Sequence, residues 1–356
     1  MAIRASVIAA SLLAGCADRA DQAYEPLLSL ACDKTVVLLG EDADHGGGTS
    51  QAFKSALVTD LVQQCGFDTI AVEASVYEFA ELTRRAAQGE ALGEEDVVAA
   101  LGRLWGDNAE VAPLVSVIAS GLDSGDVRVV GLDYQMGGLG QDYANERLGY
   151  AVFALVPEEQ RARCVGYIDD LAWGRAVDLR AFNACLAAGR GNSRHGHMAL
   201  EARALRLFAE RLSLPREQQS AHRRRAMVEL YGRQVGTGKT AVWASDTHTH
   251  RGGPAHDNLG SALGARHGSD ALSVGFGARG GTVRSVSSEV KPWPDREPRK
   301  IDVVLGGATA VLVTNLERKP FATGSDADAA VRDGGRTFDA VVVFREMRPA
   351  TKMPRP

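Results

Sequence analysis

The chain has 356 residues, of which 45% are hydrophobic and 24% are charged, and its formal net charge is −5. This composition is typical of a globular protein with one large core or two smaller ones. The acidic balance gives no indication of nucleic-acid binding. The one basic run, residues 222–225, falls in a helical pattern and is interpreted as a solvated face.

The first residues have the pattern of a targeting segment. Residues 1–16 combine an early arginine, Arg4, with a short apolar stretch and the order Leu-Ala-Gly-Cys that ends at Cys16. The apolar stretch is too short to cross a bilayer as a helix. The segment resembles a bacterial lipoprotein signal peptide, which predicts cleavage before Cys16 and a lipid anchor on its sulfur. We expect an exported protein of the periplasm or cell envelope, an outer-membrane lipoprotein, with residues 17–30 as a tether; a plain secretory signal or a disordered N-terminus is the alternative.

Strands and helices are predicted to alternate after the tether. Residues 34–40 form a β-branched apolar run, residues 49–66 have helical spacing, and residues 67–75 are again strand-like. The right-handed crossover of such a unit makes its two strands parallel. Five further strands are predicted at residues 126–134, 239–248, 271–278, 309–315 and 338–346.

The fold class that follows is α/β, a mainly parallel sheet flanked by helices in a single domain over residues 31–347. The segments 76–125 and 141–235 are rich in Ala, Leu, Arg and Glu, and we expect them to be helical insertions that form a cap over the carboxyl edge of the strands. The Pro-rich segment 291–300 is the best candidate for a linker, and residues 348–356 are expected to be a disordered tail.

Four cysteines remain after Cys16, an even count for a chain expected in an oxidising compartment. We predict two disulfides, with Cys32–Cys65 and Cys164–Cys185 preferred among the three pairings. Cys32 and Cys65 both precede strands of the parallel unit, so they meet at its amino edge. Four buried free thiols are the alternative.

Carboxylates and imidazoles follow the strands at their carboxyl ends, where open α/β sheets place their binding crevices. These candidate residues are Glu41, His45, Glu73, Asp133, Asp246, His248 and His250. A histidine of near-neutral pKa can take a proton from water, and a neighbouring carboxylate can fix its tautomer. The pattern therefore predicts a catalytic site at this edge. The tryptophans Trp105, Trp173 and Trp243 are interpreted as packing residues.

The sequence is less consistent with three other chemistries. His248 and His250 alternate along the predicted strand and would share a face, which also suits a metal, and His45, His248 and a carboxylate could supply the ligands of a zinc ion. The expected cofactor is nevertheless none, because no compact metal motif such as His-Glu-x-x-His occurs. Residues 235–240, VGTGKT, lack a required glycine and lead into a strand, which excludes a phosphate loop. No Gly-x-Ser-x-Gly nucleophile elbow is present.

A family resemblance adds to these patterns. Residues 38–79 are similar to the opening block of the erythromycin esterase family, in which a strand ends in Gly-Glu, a His-Gly follows, and a helix leads through Gly-Phe to a strand that closes on Glu-Ala. The similarity continues in patches to residue 285. Its later parts are RRRAMVEL (223–230), AVWASDTHTHRGG (241–253) and NLGSALGARHGSDALSVGFG (258–277).

The resemblance implies hydrolysis of a small-molecule ester or lactone without a metal. His45 would be the general base that activates water, Glu73 and Glu41 would position it, and His248 would assist at the leaving or carbonyl oxygen. The remaining candidates are assigned to substrate binding: Asp133, Arg223, Asp246 and His250.

The chain departs from the family pattern at several positions. Ser245 stands where the family's Trp-x-His-Asn-x-His segment has its first histidine, Asp246 replaces its asparagine, and Arg224 replaces an aspartate. The interval from Glu41 to His45 is also one residue longer than in macrolide-cleaving members. Two alternatives therefore remain, a metal-dependent hydrolase that uses the same cluster and a non-catalytic envelope protein that binds a ligand on a degenerate esterase scaffold.

Overall fold

The computed structural model describes residues 23–41, 45–136, 141–190, 196–252, 257–285, 289–293, 310–313 and 338–353. The predicted signal segment with Cys16 lies outside these residues, as does most of the predicted linker. Within the described ranges, no helix combines the length and the apolar character that crossing a membrane requires.

The strands are β1 (Val36–Leu39), β2 (Phe67–Ser75), β3 (Arg128–Asp133), β4 (Lys239–Trp243), β5 (Ala271–Ala278), β6 (Thr282–Arg284), β7 (Val290–Pro292), β8 (Ala310–Val313) and β9 (Ala340–Phe344). The helices before β3 are α1 (Tyr24–Cys32), α2 (Gly48–Cys65), α3 (Val76–Ala87), α4 (Glu94–Trp105) and α5 (Ala112–Ser124). The later helices are α6 (Leu148–Val152), α7 (Glu158–Ala172), α8 (Leu179–Arg190), α9 (Gly196–Leu212), α10 (Arg216–Gln234), α11 (Asp246–Thr249) and α12 (Leu259–His267). A π-helix spans Tyr143–Arg147 and a 3₁₀ turn spans Gly268–Asp270.

The main sheet confirms the predicted parallel α/β class. Its strand order in the described residues is β3-β2-β4-β1-β5-β9-β8, and all neighbours are parallel except β8 and β9. The strands of the first β-α-β unit are parallel as predicted but are not neighbours, since β4 lies between them. The carboxyl end of β4 therefore separates the residues that follow β1 from those that end β2.

Both faces of the sheet are covered, which explains why β1 is apolar at every position. Successive side chains of a strand point to opposite faces. Val37 and Leu39 pack in the core cluster that includes α1, α2, α4 and α5. Val36 and Leu38 pack on the other face with residues of α10 and α12.

A separate core cluster forms the cap over the carboxyl edge. It contains the first residues of α3, Tyr134 after β3, and apolar residues of α6 to α10. The prediction that all of residues 76–125 belong to the cap is wrong for α4 and α5. Their apolar residues, such as Leu101 and Ile118, share a cluster with Leu39 and Val72, so these helices cover a face of the sheet.

Parts of both predicted terminal segments belong to the fold. Residues 24–30, assigned to the tether, lie in α1, whose Leu27 is buried and whose Tyr24 hydroxyl donates to Asp60 at 2.6 Å. The predicted tail is also ordered over residues 348–353. We call residues 347–353 the C-terminal strap, because their backbone bonds both to the loop before α2 and to the loop after α4.

Both predicted disulfide pairings are confirmed. Cys32 and Cys65 are joined with a Cα separation of 5.1 Å, at the amino edge where α1 and α2 end. Lys239 donates to the carbonyl oxygens of both residues, at 2.8 and 3.0 Å. This lysine, which belongs to the excluded phosphate-loop pattern, opens β4 far from the carboxyl edge. Cys164 and Cys185 join α7 to α8 in the cap.

We expect the Cys32→Ala/Cys65→Ala double variant to lose about 3–4 kcal/mol of unfolding free energy, because the cross-link restricts the unfolded chain. Urea denaturation with and without a reducing agent measures this. Reductant should lower the urea midpoint of the wild type by more than that of the double variant, because the double variant no longer has the Cys32–Cys65 bond to lose. An identical wild-type midpoint under both conditions would contradict the prediction.

Candidate active site

Glu41, two residues beyond the end of β1, is surrounded by four hydrogen-bond donors. Its Oε1 accepts from His45 Nδ1 at 2.5 Å and from Trp105 Nε1 at 2.8 Å. Its Oε2 accepts from Lys54 Nζ at 2.5 Å and from Trp243 Nε1 at 2.8 Å. We call these four donor residues the Glu41 cage. Burial by itself raises the pKa of Glu41, but Lys54 and His45 outweigh it and hold that pKa at about 2. Glu41 is therefore an ionised carboxylate at neutral pH.

Lys54 supplies the positive charge of the cage from the first turns of α2. Its side chain is 0% exposed. The ammonium lies 3.1 Å from the Gly40 carbonyl oxygen and 4.6 Å from the centre of the Trp243 ring. A buried ammonium is tolerated only with such partners. Lys54 and Glu41 therefore depend on each other.

His45 receives a defined tautomer from this arrangement. The ionised Glu41 can only accept, so His45 Nδ1 carries the proton, and in the neutral ring the lone pair lies on Nε2. Its ring edge packs on Trp105, with centroids 5.1 Å apart. His45 has φ +54°, and among the described residues no other non-glycine has a positive φ. Such a conformation costs about 1–3 kcal/mol and is typical of functional sites.

The glycines after His45 permit close backbone contact. A Cβ on Gly46 would lie 1.7 Å from the carbonyl oxygen of Arg284. The Gly46 carbonyl accepts from Arg284 N at 3.1 Å and from Ala350 N at 2.8 Å. The glycine-rich loop is thus pinned by β6 and by the C-terminal strap.

Glu73 is the second buried carboxylate of the site. The pairing of β2 with β3 is irregular between Val72 and Ser75, so Glu73 leaves the regular ladder. Its Oε1 accepts from Arg223 at 2.7 Å and lies 3.1 Å from His248 Nε2, while its Oε2 accepts from the Ser245 amide at 2.7 Å. Burial raises the pKa of Glu73, but the charges of His248 and Arg223, with a smaller contribution from His45, hold it well below its usual range.

Arg223, from α10, links this carboxylate to β3. Its guanidinium donates to Asp133 through Nη2 at 2.8 Å and through Nε at 3.3 Å, and Nη1 lies 3.3 Å from His248 Nε2. Burial by itself lowers the pKa of Arg223, but the charges of Asp133 and Glu73 outweigh burial and raise that pKa above its usual value. We call Glu73, Asp133, Arg223 and His248 the Glu73 cluster. Arg223 thus donates to two carboxylates of the site, and its role in substrate binding stays a prediction.

The end of β4 and the residues that follow it connect the two carboxylates, Glu41 and Glu73. Trp243 donates to Glu41, and two residues later the Ser245 amide donates to Glu73. The Asp246 amide then donates to the Glu41 carbonyl at 2.8 Å. The placement of β4 between β1 and β2 makes this connection possible.

The prediction of a strand over residues 239–248 is wrong at its carboxyl end. The prediction that His248 and His250 share a face of this strand is therefore wrong as well. β4 ends at Trp243 and Asp246–Thr249 form the short helix α11. His248 lies beside Glu73. His250 Nε2 instead lies 2.9 Å from Asn258 Nδ2, and burial, aided by Arg224, lowers the pKa of His250 to about 4. Asp246 packs so close to Gly40 that a Cβ there would lie 2.1 Å from its Oδ1.

Two features of the site were not predicted as functional. Lys54 was overlooked, although it falls in the apolar stripe of α2 one turn before Leu57 and Val58. A charge in such a stripe indicates a buried partner. Trp105 and Trp243 were interpreted as packing residues, and nothing in their local sequence indicates that their indole nitrogens reach Glu41. In the described part of the chain, no three His, Cys, Asp or Glu side chains are arranged to hold a metal.

Solved structures with this architecture define its class. A succinoglycan biosynthesis protein is 16% identical with a TM-score of 0.67, covering 92% of this chain and 91% of its own. A Bacillus cereus protein is 18% identical with a TM-score of 0.61, covering 93% of each chain. An erythromycin esterase EreC mutant in its open conformation is 15% identical with a TM-score of 0.59, covering 93% and 94%. The fold is therefore esterase-like α/β.

The family follows from the sequence itself. The family model described as erythromycin esterase matches residues 62–347, and the chain belongs to the erythromycin esterase family, as the resemblance predicted. The matched region includes the whole Glu73 cluster, whereas Glu41, His45 and Lys54 precede it. Comparison with curated protein sequences finds no match.

We expect Arg223→Met to lower the unfolding free energy at pH 7 by about 3–5 kcal/mol, because it leaves two carboxylates without their cation. The depressed pKa of Glu73 stabilises the wild type above about pH 4.3, the unfolded value, and this contribution is lost as pH falls. The deficit of the variant should therefore hold from pH 7 to about pH 5 and shrink between about pH 5 and about pH 3.

Urea denaturation across that pH range measures the Arg223 effect. Arg225→Met is the matched control on the same helix, because Arg225 is exposed and lies 3.9 Å from Asp257; we expect a change within about 0.5 kcal/mol. A deficit for Arg223→Met that stayed constant with pH would show that packing, and not charge, is what was lost.

Proposed function

We propose that the protein is an esterase-like hydrolase that cleaves an ester or lactone with water activated by His45. The observation that carries this proposal is the pair of His45 and Glu41 at the carboxyl edge of the sheet. An ionised carboxylate holds Nδ1–H, so Nε2 is the basic nitrogen of the neutral ring. Membership of the erythromycin esterase family supports the reaction class.

The reaction runs in two steps. The oxygen of a water molecule attacks the ester carbonyl carbon while one of its protons passes to His45 Nε2, which forms a tetrahedral oxyanion. The intermediate then collapses, the bond to the leaving oxygen breaks, and that oxygen takes the proton back from the imidazolium. Glu41 stabilises the imidazolium through Nδ1–H and stays ionised throughout.

We assign the Glu73 cluster to the oxygen atoms of the substrate. His248 lies beside Glu73 and Arg223, and its Nδ1 is buried with no hydrogen-bond partner among the described residues. An unpartnered ring nitrogen at a charged cluster supports a role in binding the carbonyl or leaving oxygen. Ser245 supplies no imidazole at this position, and its hydroxyl lies 2.9 Å from that of Thr247. This departure from the family pattern leaves His248 as the assisting residue.

The proposed reaction needs no metal. Lys54 already neutralises Glu41, and Arg223 already neutralises Glu73, so both carboxylates have cationic partners within the chain. This arrangement favours water activation by an imidazole over activation by a divalent ion such as zinc. The substrate class proposed is a small-molecule ester or lactone.

We expect His45→Gln to lower kcat/KM by about 10²–10⁴-fold, the usual contribution of a general base. Purified wild type and variant should be assayed on simple esters, simple lactones and a macrolide, each with and without a chelator. His267→Gln is the matched control, because His267 ends α12 at the opposite edge of the sheet. Full turnover by His45→Gln would refute the mechanism, loss of turnover with chelator would favour a metal-dependent hydrolase, and no turnover on any substrate would favour a binding protein.

We also propose that the chain is exported and anchored through a lipid on Cys16. The two disulfides support an oxidising compartment such as the periplasm or cell envelope. In a bacterial host, radiolabelled fatty acid should be incorporated into the wild type and not into Cys16→Ser. Equal incorporation into both would refute the anchor.

A further inference from the structure

Lys54 has no place in the proposed reaction steps, yet it is the most deeply buried charge near His45. It contacts the oxygen of Glu41 that His45 does not use. The ammonium therefore acts on His45 through the carboxylate. Without the ammonium, the full negative charge of Glu41 would act on the imidazole of His45.

We propose that Lys54 is a positioning residue that keeps His45 a neutral base by offsetting the charge of Glu41. This inference rests on the proposed function, because it assigns the control of the general base. A carboxylate 2.5 Å from an imidazole strongly favours the imidazolium, which cannot accept a proton from water. An ammonium on the second oxygen weakens that preference, so the base remains available at neutral pH.

The two indoles complete the control. Trp105 donates to the same oxygen as His45, and Trp243 donates to the same oxygen as Lys54. A carboxylate has about four acceptor positions, and here four donors fill them. Glu41 can neither turn away from His45 nor readily take its proton, so the proton from water stays on the imidazole until the leaving oxygen needs it.

The other charges near His45 belong to the Glu73 cluster, which the carboxyl end of β4 separates from Glu41. Glu73 contributes to the field at His45, and Arg223 and His248 oppose the charge of Glu73 from the far side. Asp42 and Asp44, which precede His45 in the sequence, lie outside the described residues. Since Arg223 and His248 already compensate Glu73, Lys54 is the group whose removal changes the charge balance at Glu41 most directly.

The test is an NMR titration of the His45 imidazole, whose resonances are assigned by their absence in His45→Gln. A nearby charge shifts a pKa by about 1–3 units, and the Lys54 ammonium has the same sign as the imidazolium, so we expect Lys54→Met to raise the His45 midpoint by at least about one unit. The acid limb of kcat/KM should move by the same amount. Lys34→Met is the control, since Lys34 is a partly exposed lysine at the opposite end of β1 that bonds to the Ser269 carbonyl; the His45 midpoint in this variant should equal that of the wild type.

The double variant Lys54→Met/Glu41→Gln removes both charges together, which spares the fold an uncompensated buried carboxylate. Its His45 midpoint should fall below the wild-type value, because the carboxylate that favours the imidazolium is gone. If Lys54→Met alone does not fold, Trp243→Phe serves instead, since it removes a donor from the same Glu41 oxygen and should raise the midpoint by a smaller amount.

Unchanged midpoints, within about 0.3 unit, in the folded Lys54 or Trp243 variants would overturn the proposal. The titration requires no turnover, so the two proposals fail separately. Midpoints that move as expected in a protein that cleaves no ester would support the role of Lys54 and refute the hydrolase. Turnover that depends on His45 without a shifted midpoint would refute only the role of Lys54.

Discussion

The buried ion pair between Lys54 and Glu41 is the interaction on which the rest of the site depends. A buried carboxylate at the end of a fully buried strand would ordinarily take up a proton, because the core does not solvate its charge. The ammonium on Oε2 keeps it ionised, and only an ionised carboxylate can accept hydrogen bonds from three further donors. The tautomer of His45 follows from that charge. The hydrogen bonds of Glu41 and the tautomer of His45 thus both depend on this one buried ion pair.

The strand order of the sheet turns two separate carboxylates into one site. Glu41 and Glu73 leave strands that are not neighbours, and β4 fills the place between them. Trp243 reaches one carboxylate through its indole, and Ser245 reaches the other through its backbone amide. Both carboxylates therefore accept hydrogen bonds from the same short stretch of chain at the end of β4. The same arrangement explains how Ser245 can stand at a family histidine position and still hold Glu73, because the contact uses the backbone.

The backbone of His45 is held in place from several directions. Its carbonyl accepts from Gln51 at 2.5 Å, and Gln51 in turn accepts from Asn108 at 2.9 Å. The C-terminal strap bonds to Gly46 on one side and to the loop after α4, next to Trp105, on the other. A left-handed non-glycine residue persists only where its surroundings over-determine it. Segments far apart in sequence therefore stabilise the conformation that presents the imidazole.

The sequence by itself determined the elements, the parallel sheet and the edge that carries the charged residues. Apolar β-branched runs, helical spacing and glycine stops are local properties, and parallel strands bring their carboxyl ends together whatever their order. That reasoning also paired Cys32 with Cys65. Only the tertiary structure decided that β4 separates β1 from β2, that α11 turns His250 away from His248, and that Lys54, Trp105 and Trp243 surround Glu41. These contacts join residues as many as 202 positions apart in the chain, so their partners are set by packing and not by any local pattern.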